Sequence, residues 1–355
     1  MITDSQQEKV SLLRKFKRAY QRLLLVIIGR LFPIKVKQNP NTLPKNILIF
    51  LQEKLGDAIL TTPLIKNLKK HFPEIQLHLV IFNNASNIFS EDPNIYEVHN
   101  FKNDKLGTAR RLKKYDFDIL FNTKDHPSFT YIALSRYLSA TYKVGIDHRF
   151  HRNHYHCLIS LDFMTHTIDK NCSLLTILNI QSTADDLKPY IPPKKLSSKI
   201  DEFAGKMPVK KFIGINLSAG SKEKEWKIDE WKLLINKIDE KFIVFAVDNQ
   251  LENKKILETE CSRVISSPDT TSINDAAAIT KNLKLLITPS TGLLHVASCF
   301  DIGVVGLYRK DPSDHKRFAP FGIPFKKVIA ENHIVSNVPV SQVVSATKEL
   351  LMEMK

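Results

Sequence analysis

Short apolar runs alternate with helical patterns along most of this chain, and this alternation restricts the possible folds more than any other feature. Strands are predicted over 47–51, 77–82, 96–101, 117–122 and 142–146, with helices over 64–72 and 106–115 between them. Strands and helices that alternate at this spacing form parallel sheets with helices on both faces. The first half of the chain is therefore predicted to be a Rossmann-like α/β domain.

The second half repeats this pattern. Strands are predicted over 211–217, 242–247, 283–288 and 304–308, and helices over 229–237, 272–280 and 293–300. A proline-rich segment, 188–195, separates the halves, and 355 residues suit two domains better than one core. We predict two Rossmann-like domains, residues 45–190 and 191–340, that face a central cleft, and a C-terminal helix over 341–355.

Residues 1–44 are predicted to be a basic amphipathic helical extension that ends in a linker at 39–44. Much of the net charge of +15 is concentrated here, because residues 1–46 contain ten Lys or Arg and two Asp or Glu. Within residues 9–32, five apolar residues fall on one helical face: Leu13, Phe16, Tyr20, Leu23 and Ile27. Such a helix either lies in an anionic membrane interface or packs its apolar face on the protein body.

The basic charge indicates an anionic partner, and two loops are candidate sites for a phosphate. In the first, Ser290, Thr291 and Gly292 lie between a strand and a helix, where unpaired N–H groups and the helix dipole favour an anion. An ordinary N-cap is the alternative. The second loop, 218–226, is either a solvated surface loop or a pyrophosphate-binding loop, and its candidate residues are Ser218, Gly220, Ser221, Lys222 and Lys224.

Asp57 follows the first predicted strand, at the sheet edge where ligands of open α/β folds bind. Gly56 is expected to permit a tight turn before it. Asp57 is either a functional carboxylate or the cap of the helix that follows. Thr62-Pro63 offers a second helix start, with Thr62 as the cap, so Asp57 is not the only candidate for capping.

Two Rossmann-like domains around a cleft form the GT-B architecture of nucleotide-sugar glycosyltransferases. Residues 45–350 also resemble glycosyltransferase family 9, the ADP-heptose:lipopolysaccharide heptosyltransferases. The resemblance is carried by three blocks in the family's order, Leu55-Gly56-Asp57-Ala58, Lys224-Glu225-Trp226 and Ser290-Thr291-Gly292-Leu293-Leu294-His295-Val296-Ala297. A further similar stretch is Met164-Thr165-His166-Thr167-Ile168-Asp169-Lys170-Asn171.

The resemblance implies an inverting, metal-independent transfer of heptose from ADP-heptose to the inner core of lipopolysaccharide or lipooligosaccharide, without a cofactor. Asp57 matches the family's general base, and Lys224 matches the lysine that stabilises the departing diphosphate. The implied partners are a nucleotide-sugar donor, a lipid A-core acceptor and an anionic membrane surface contacted through residues 9–32. We expect a cytoplasmic protein, peripheral to the inner face of the inner membrane.

The sequence departs from the family at Ser290, where the family usually has Asp, and this leaves the identity of the donor sugar or the geometry of the acceptor open. His295 matches the family histidine but is equally consistent with a structural role. Two alternatives therefore remain: the same fold and mechanism with another donor or acceptor, or an inactive paralogue that binds a nucleotide. Nucleic acid is not an expected partner, because no helix-turn-helix, RRM or zinc pattern occurs.

Overall fold

The computed structural model describes residues 4–37, 43–82 and 88–355, with side chains described from Leu13 onward. The strands are β1 Asn46–Phe50, β2 Gln76–Ile81, β3 Glu97–Asn100, β4 Phe117–Asn122, β5 Ala140–Ile146, β6 Cys157–Ile159, β7 Phe212–Asn216, β8 Lys241–Phe245, β9 Leu285–Pro289, β10 Gly303–Tyr308 and β11 Phe325–Ile329. The helices are α1 Asp4–Leu31, α2 Leu55–Ile59, α3 Thr62–His71, α4 Lys105–Leu112, α5 Phe129–Tyr137, α6 Thr167–Ile177, α7 Ser198–Lys206, α8 Ile228–Lys237, α9 Leu251–Glu260, α10 Ile273–Thr280, α11 Gly292–Cys299, α12 Pro312–Arg317 and α13 Val340–Glu353.

The strands form two parallel sheets, which confirms the predicted two-domain α/β fold. The first sheet has the order β3-β2-β1-β4-β5-β6, and the second has the order β11-β10-β9-β7-β8. In the first sheet Ile47 pairs with both Leu77 and Ile119. In the second, Ile213 pairs with Phe242 and Leu285. The predicted bounds of the two domains, 45–190 and 191–340, remain a prediction.

Both faces of the first sheet are buried, as a doubly covered parallel sheet requires. In β1, Ile47 and Ile49 face a large apolar cluster, whereas Leu48 and Phe50 face a second cluster on the opposite side of the sheet. The large cluster also contains Leu294 from the second half of the chain. Apolar packing is therefore continuous between the two halves.

Two strands and several helices of the structure were not predicted from the sequence. Strands β6 and β11 lie at sheet edges and are only partly buried, so they lack a strong apolar run. Helices α5, α6, α7, α9 and α12 were also not predicted, whereas α2 lies where a helix capped by Asp57 was one of the alternatives. Thr61, not the predicted Thr62, is the N-cap of α3, and its side chain makes no capping hydrogen bond.

The N-terminal segment forms a single helix, α1, that contacts the body through a face other than the predicted apolar one. Leu25 is buried, and its carbonyl oxygen lies 3.0 Å from Nε2 of His154. Gly29 also lies against His154. The predicted apolar residues point outward: Leu13, Phe16 and Tyr20 are 69%, 66% and 66% exposed.

The apolar face of α1 therefore does not pack on the described part of the protein. Residues 39–42 of the predicted linker lie outside the described residues. In the described part of the chain, no helix is both long enough and apolar enough to cross a membrane.

Candidate active site

The carboxyl ends of the strands bring the predicted site residues to facing edges of the two sheets. Asp57 lies in α2, directly after β1 of the first sheet. Lys224 follows β7, and Thr291 follows β9, in the second sheet. Helices α2 and α11 contact each other, which brings these edges together.

Gly56 makes this contact possible. It is a residue of helix α2, not of the tight turn that the sequence suggested. A Cβ atom built on Gly56 would lie 2.8 Å from Cδ2 of His295 and 3.6 Å from Cα of Gly292. A side chain at position 56 would therefore force the His295 ring or the contact between α2 and α11 to shift, so glycine favours the close approach of the two halves.

Asp57 is buried at this contact, with 7% of its surface exposed. Burial raises the pKa of the Asp57 carboxyl, while the backbone N–H and the charge of Lys54 lower it. The charges of Lys124 and Arg317 also lower it. Oδ2 of Asp57 accepts a long hydrogen bond of 3.3 Å from the Lys54 N–H, so its capping contact is weak and leaves room for the predicted functional role. A buried carboxyl with a raised pKa is suited to accept a proton.

Lys224 reaches the start of α11 from the opposite loop. It ends a 3₁₀ turn, Lys222–Lys224, and its Nζ donates to the carbonyl oxygen of Ser290 at 3.3 Å. The same Nζ lies 3.0 Å from Oδ2 of Asp314. Burial lowers the pKa of Lys224, and the Asp314 carboxylate opposes this effect. The structure thus holds a half-buried ammonium group beside the first turn of α11.

The hydroxyl of Thr291 accepts a hydrogen bond from another side chain and does not cap α11. Nδ2 of Asn216, at the end of β7, donates to Oγ1 of Thr288 at 3.0 Å and to Oγ1 of Thr291 at 3.1 Å. Thr291 is the N-cap residue, but its side chain accepts no hydrogen bond from the helix. The ordinary capping bond is therefore absent, and the geometry fits the predicted phosphate site.

The other predicted residues of loop 218–226 differ in their surroundings. Oγ of Ser218 accepts a hydrogen bond of 2.8 Å from the Val247 N–H, which holds the loop against the end of β8. Ser221 is half-buried and precedes the 3₁₀ turn, while Gly220 and Lys222 are exposed. Of the two predicted lysines, Lys224 is the one that contacts the loop before α11.

His295 is a neutral, buried residue of this contact. Burial and the nearby charges of His166 and Lys224 lower its pKa to about 3. Its ring packs against Gly56, and its Nδ1 has no hydrogen-bond partner among the described residues. His295 therefore contributes packing between the halves and a neutral imidazole, without a positive charge near physiological pH.

Asp314 is a site residue that the sequence did not predict. Oγ of Ser290 donates to Oδ1 of Asp314 at 2.8 Å, so a carboxylate from α12 lies at the position where the sequence lacks one. Asp314 is 8% exposed. Asp311-Pro312 after β10 has the composition of a helix start, and this pattern could have placed α12 at the same sheet edge.

A buried ionic network also joins the two halves, and the sequence did not predict it. Nζ of Lys170 lies 2.6 Å from Oδ2 of Asp125, and Arg317 of α12 donates to the same oxygen. The Asp125 side chain is 3% exposed. Burial alone would raise the pKa of Asp125, but hydrogen bonds from His126 and Lys170 and the charge of Arg317 hold it well below its usual range. Asp125 follows β4, so its place at the sheet edge was the available sequence signal.

Three side chains with metal-ligand chemistry, His78, Glu97 and His99, come together on β2 and β3. The sequence did not suggest this cluster. Nδ1 of His78 lies 3.0 Å from Nε2 of His99, and Glu97 accepts a hydrogen bond of 2.6 Å from the Tyr115 hydroxyl. These residues lie within the strands, away from the carboxyl ends that carry Asp57, and they bond to one another.

A family model and two related proteins that match this chain agree with one another. The family model described as glycosyltransferase family 9 (heptosyltransferase) matches residues 106–339. Lipopolysaccharide heptosyltransferase 3 of Escherichia coli K12 is 22% identical over 337 residues, which cover 84% of this chain and 96% of that protein. Another Escherichia coli protein of the same description is 27% identical over 164 residues, 41% of this chain and 47% of the relative.

A solved structure shows the same fold. The structure of Escherichia coli heptosyltransferase WaaC with ADP-2-deoxy-2-fluoro heptose aligns with a TM-score of 0.67 and 16% identity, over 87% of this chain and 100% of that chain.

Proposed function

Because this chain belongs to glycosyltransferase family 9, the heptosyltransferase family, it is a glycosyltransferase, and we propose that it transfers heptose from ADP-heptose to the inner core of lipopolysaccharide. One observation carries the proposal: the contact of α2 with α11 places a buried carboxyl, Asp57, opposite a half-buried cation, Lys224, and an uncapped helix start. These are the groups that glycosyl transfer from a nucleotide sugar requires.

The mechanism follows from the charges that form in the reaction. An acceptor hydroxyl attacks the anomeric carbon, and the Asp57 carboxylate takes up the hydroxyl proton. The bond to the diphosphate breaks on the opposite side of that carbon, so the configuration is inverted. The ammonium of Lys224 and the first N–H groups of α11 stabilise the negative charge of the leaving diphosphate. Chelation of metals with EDTA is expected to leave the rate unchanged.

Asp314 supports heptose as the donor sugar. Its carboxylate, bound to Ser290 at 2.8 Å, supplies an acidic group at the point where the sequence lacks one. A carboxylate can accept hydrogen bonds from sugar hydroxyls, whereas the serine hydroxyl alone is a weaker acceptor. We therefore favour an unchanged donor over the alternative of a different nucleotide sugar.

We further propose that the protein associates with an anionic membrane from the cytoplasmic side through α1. Five residues at helical spacing form an exposed apolar stripe along α1, and basic residues such as Lys15 and Lys17 lie beside it. An apolar stripe flanked by Lys and Arg fits the interface of a membrane with anionic lipids. The stripe consists of Leu13, Phe16, Tyr20, Leu23 and Ile27.

The transfer reaction can be tested directly. Purified protein is incubated with lipid A-core from a strain that lacks it, together with ADP-heptose, ADP-glucose or ADP-mannose, and the products are weighed by mass spectrometry. We expect the mass of one heptose to be added, from ADP-heptose alone. Transfer only from ADP-glucose or ADP-mannose would support the alternative of the same fold and mechanism with a different donor. No transfer from any donor would indicate an inactive nucleotide-binding paralogue.

Membrane association is tested by flotation with vesicles that contain phosphatidylglycerol. Replacing Phe16 and Leu23 by Gln is expected to abolish most binding, because both side chains are more than half exposed on the stripe. Replacing Leu106, an exposed leucine on α4, serves as the control. Equal flotation of the two variants would argue against the stripe as the membrane contact.

A further inference from the structure

A cavity of about 440 Å³ lies between α1 and the loop that joins β4 to α5. Residues from both elements, and Glu53 from the loop after β1, form its walls. Its lining includes Arg18, Arg22, Leu25, Glu53 and Lys124. The volume lies in the range of small-ligand sites, so a sugar unit can enter.

The walls of this cavity are predominantly cationic. Arg18 and Arg22 are one helical turn apart on α1 and both face the cavity. Neither has a carboxylate partner among the residues that the structure describes. Lys124 adds a third cation, which is offset by Glu53 at 2.8 Å. The net charge of the walls is therefore positive, and an anionic ligand is favoured.

One of the two arginine side chains, that of Arg22, also has an aromatic contact that restrains it. The guanidinium group of Arg22 stacks on Phe150 with its centre 5.6 Å from the ring centroid. Leu25, one turn further along α1, is buried and fixes the helix against the body. A guanidinium group whose position is already restrained loses less conformational entropy when it binds a phosphate or carboxylate.

The cavity lies at the same sheet edge as Asp57, although Asp57 is not one of its lining residues. Lys124 and Glu53 follow the adjacent strands β4 and β1, at the same sheet edge as Asp57. Lys124 lies close enough for its charge to influence the Asp57 carboxyl. A saccharide bound in the cavity thus has its neighbouring sugar units near the proposed base.

We propose that this cavity binds an oxyanion, a phosphate or carboxylate group, on the acceptor saccharide and so positions the attacking hydroxyl at Asp57. The inference rests on the proposed function for the identity of the acceptor. Arg18 and Arg22 are the positioning residues, with Lys124 at the base of the cavity. The apolar stripe of α1 points away from this side, so one helix contacts both the membrane and the acceptor's charged group.

The test compares two double variants of α1 that lose the same charge. Arg18→Gln/Arg22→Gln removes the cavity cations, and Arg14→Gln/Arg30→Gln removes two exposed arginines outside it. The probe is deacylated, phosphorylated core oligosaccharide without vesicles, and its Kd is measured by calorimetry in the absence of donor. We expect the Kd to rise at least tenfold for the cavity variant and less than twofold for the control.

Further binding measurements identify the oxyanion and distinguish the proposal from competing explanations. Treatment of the oligosaccharide with phosphatase, or reduction of its carboxyl groups, should raise the wild-type Kd toward that of the cavity variant. Equal Kd values for the two double variants, no binding to the wild type, or an effect seen only on vesicles, where lipid headgroups are the ligand, would overturn the inference. If the wild type binds the oligosaccharide but transfers no sugar, the proposed function fails while the cavity assignment stands.

Discussion

Replacing Asp57 by Asn removes the proposed base but keeps the volume of the side chain and an acceptor for the Lys54 N–H. General base catalysis contributes roughly 10²–10⁴-fold, which corresponds to about 3–5 kcal/mol of activation free energy. We expect kcat to fall by this factor. The Kd of ADP-heptose should stay within about twofold, because the proposed diphosphate site at Lys224 lies across the cleft.

The same substitution is expected to increase stability. Burial raises the folded-state pKa of Asp57 above the unfolded value of 3.8, so the charged carboxylate opposes folding at neutral pH. The wild type therefore loses stability relative to the Asn variant as the pH rises from 3.8 through the folded-state pKa. At pH 7 the variant should have the larger free energy of unfolding, and below pH 3.8 the difference should vanish. Gain of stability with loss of activity is typical of a functional residue.

Initial transfer rates between pH 5 and 9, and urea unfolding followed by circular dichroism, measure both effects. The wild-type rate should fall tenfold for each pH unit below the raised pKa of Asp57. Asp104→Asn is the control, because Asp104 caps α4 through a bond of 2.8 Å from Gly107 and Asn caps equally well. An unchanged kcat together with a stability loss of about 1 kcal/mol in the Asp57 variant would show that Asp57 is only a helix cap.

Lys224→Met should reduce kcat by roughly 10²–10³-fold, as found when other hydrogen-bond donors to a developing anion are removed. Lys222 is exposed, so Lys222→Met should change kcat by less than about twofold. Similar losses of kcat in both variants would refute a specific role for Lys224. Asp125→Asn leaves two buried cations without their carboxylate and should lower the free energy of unfolding by about 3–5 kcal/mol at pH 7, with less effect in acid as the wild-type carboxylate becomes protonated. Gly56→Ala should slow transfer, because its Cβ would lie 2.8 Å from the ring of His295, and His295→Ala in the same chain should restore part of the rate if this contact is the cause.

The alternation of strands and helices could be predicted from the sequence because it depends on local periodicity. The buried strands β1, β4, β7 and β9 are short apolar runs whatever surrounds them. Their order along the chain then places Asp57 and Thr291 at carboxyl ends of parallel strands. The edge strand β11 escaped prediction, because it is only partly buried and has no continuous apolar run.

The apolar face of α1 was also visible in the sequence, but its environment was not. Periodicity identifies which residues share a helical face, and it gives the same result for a face that packs on the body and for one that remains exposed. Only the tertiary structure shows that Leu25 faces inward while Phe16 and Tyr20 face outward.

Contacts between residues that are far apart in the sequence also became visible only in the tertiary structure, because sequence periodicity does not report them. Ser290 appeared in the sequence as the loss of an acidic group, yet the folded chain brings Asp314 to it from a different element. Asp125 and Arg317 are 192 residues apart and meet only where the two halves close on each other. Sequence patterns report the preferences of neighbouring residues, whereas electrostatic partners are selected by distance in space. The sequence by itself thus determined the fold and the sheet edge at which the candidate site forms. The packing of the two domains decided which charged residues complete that site.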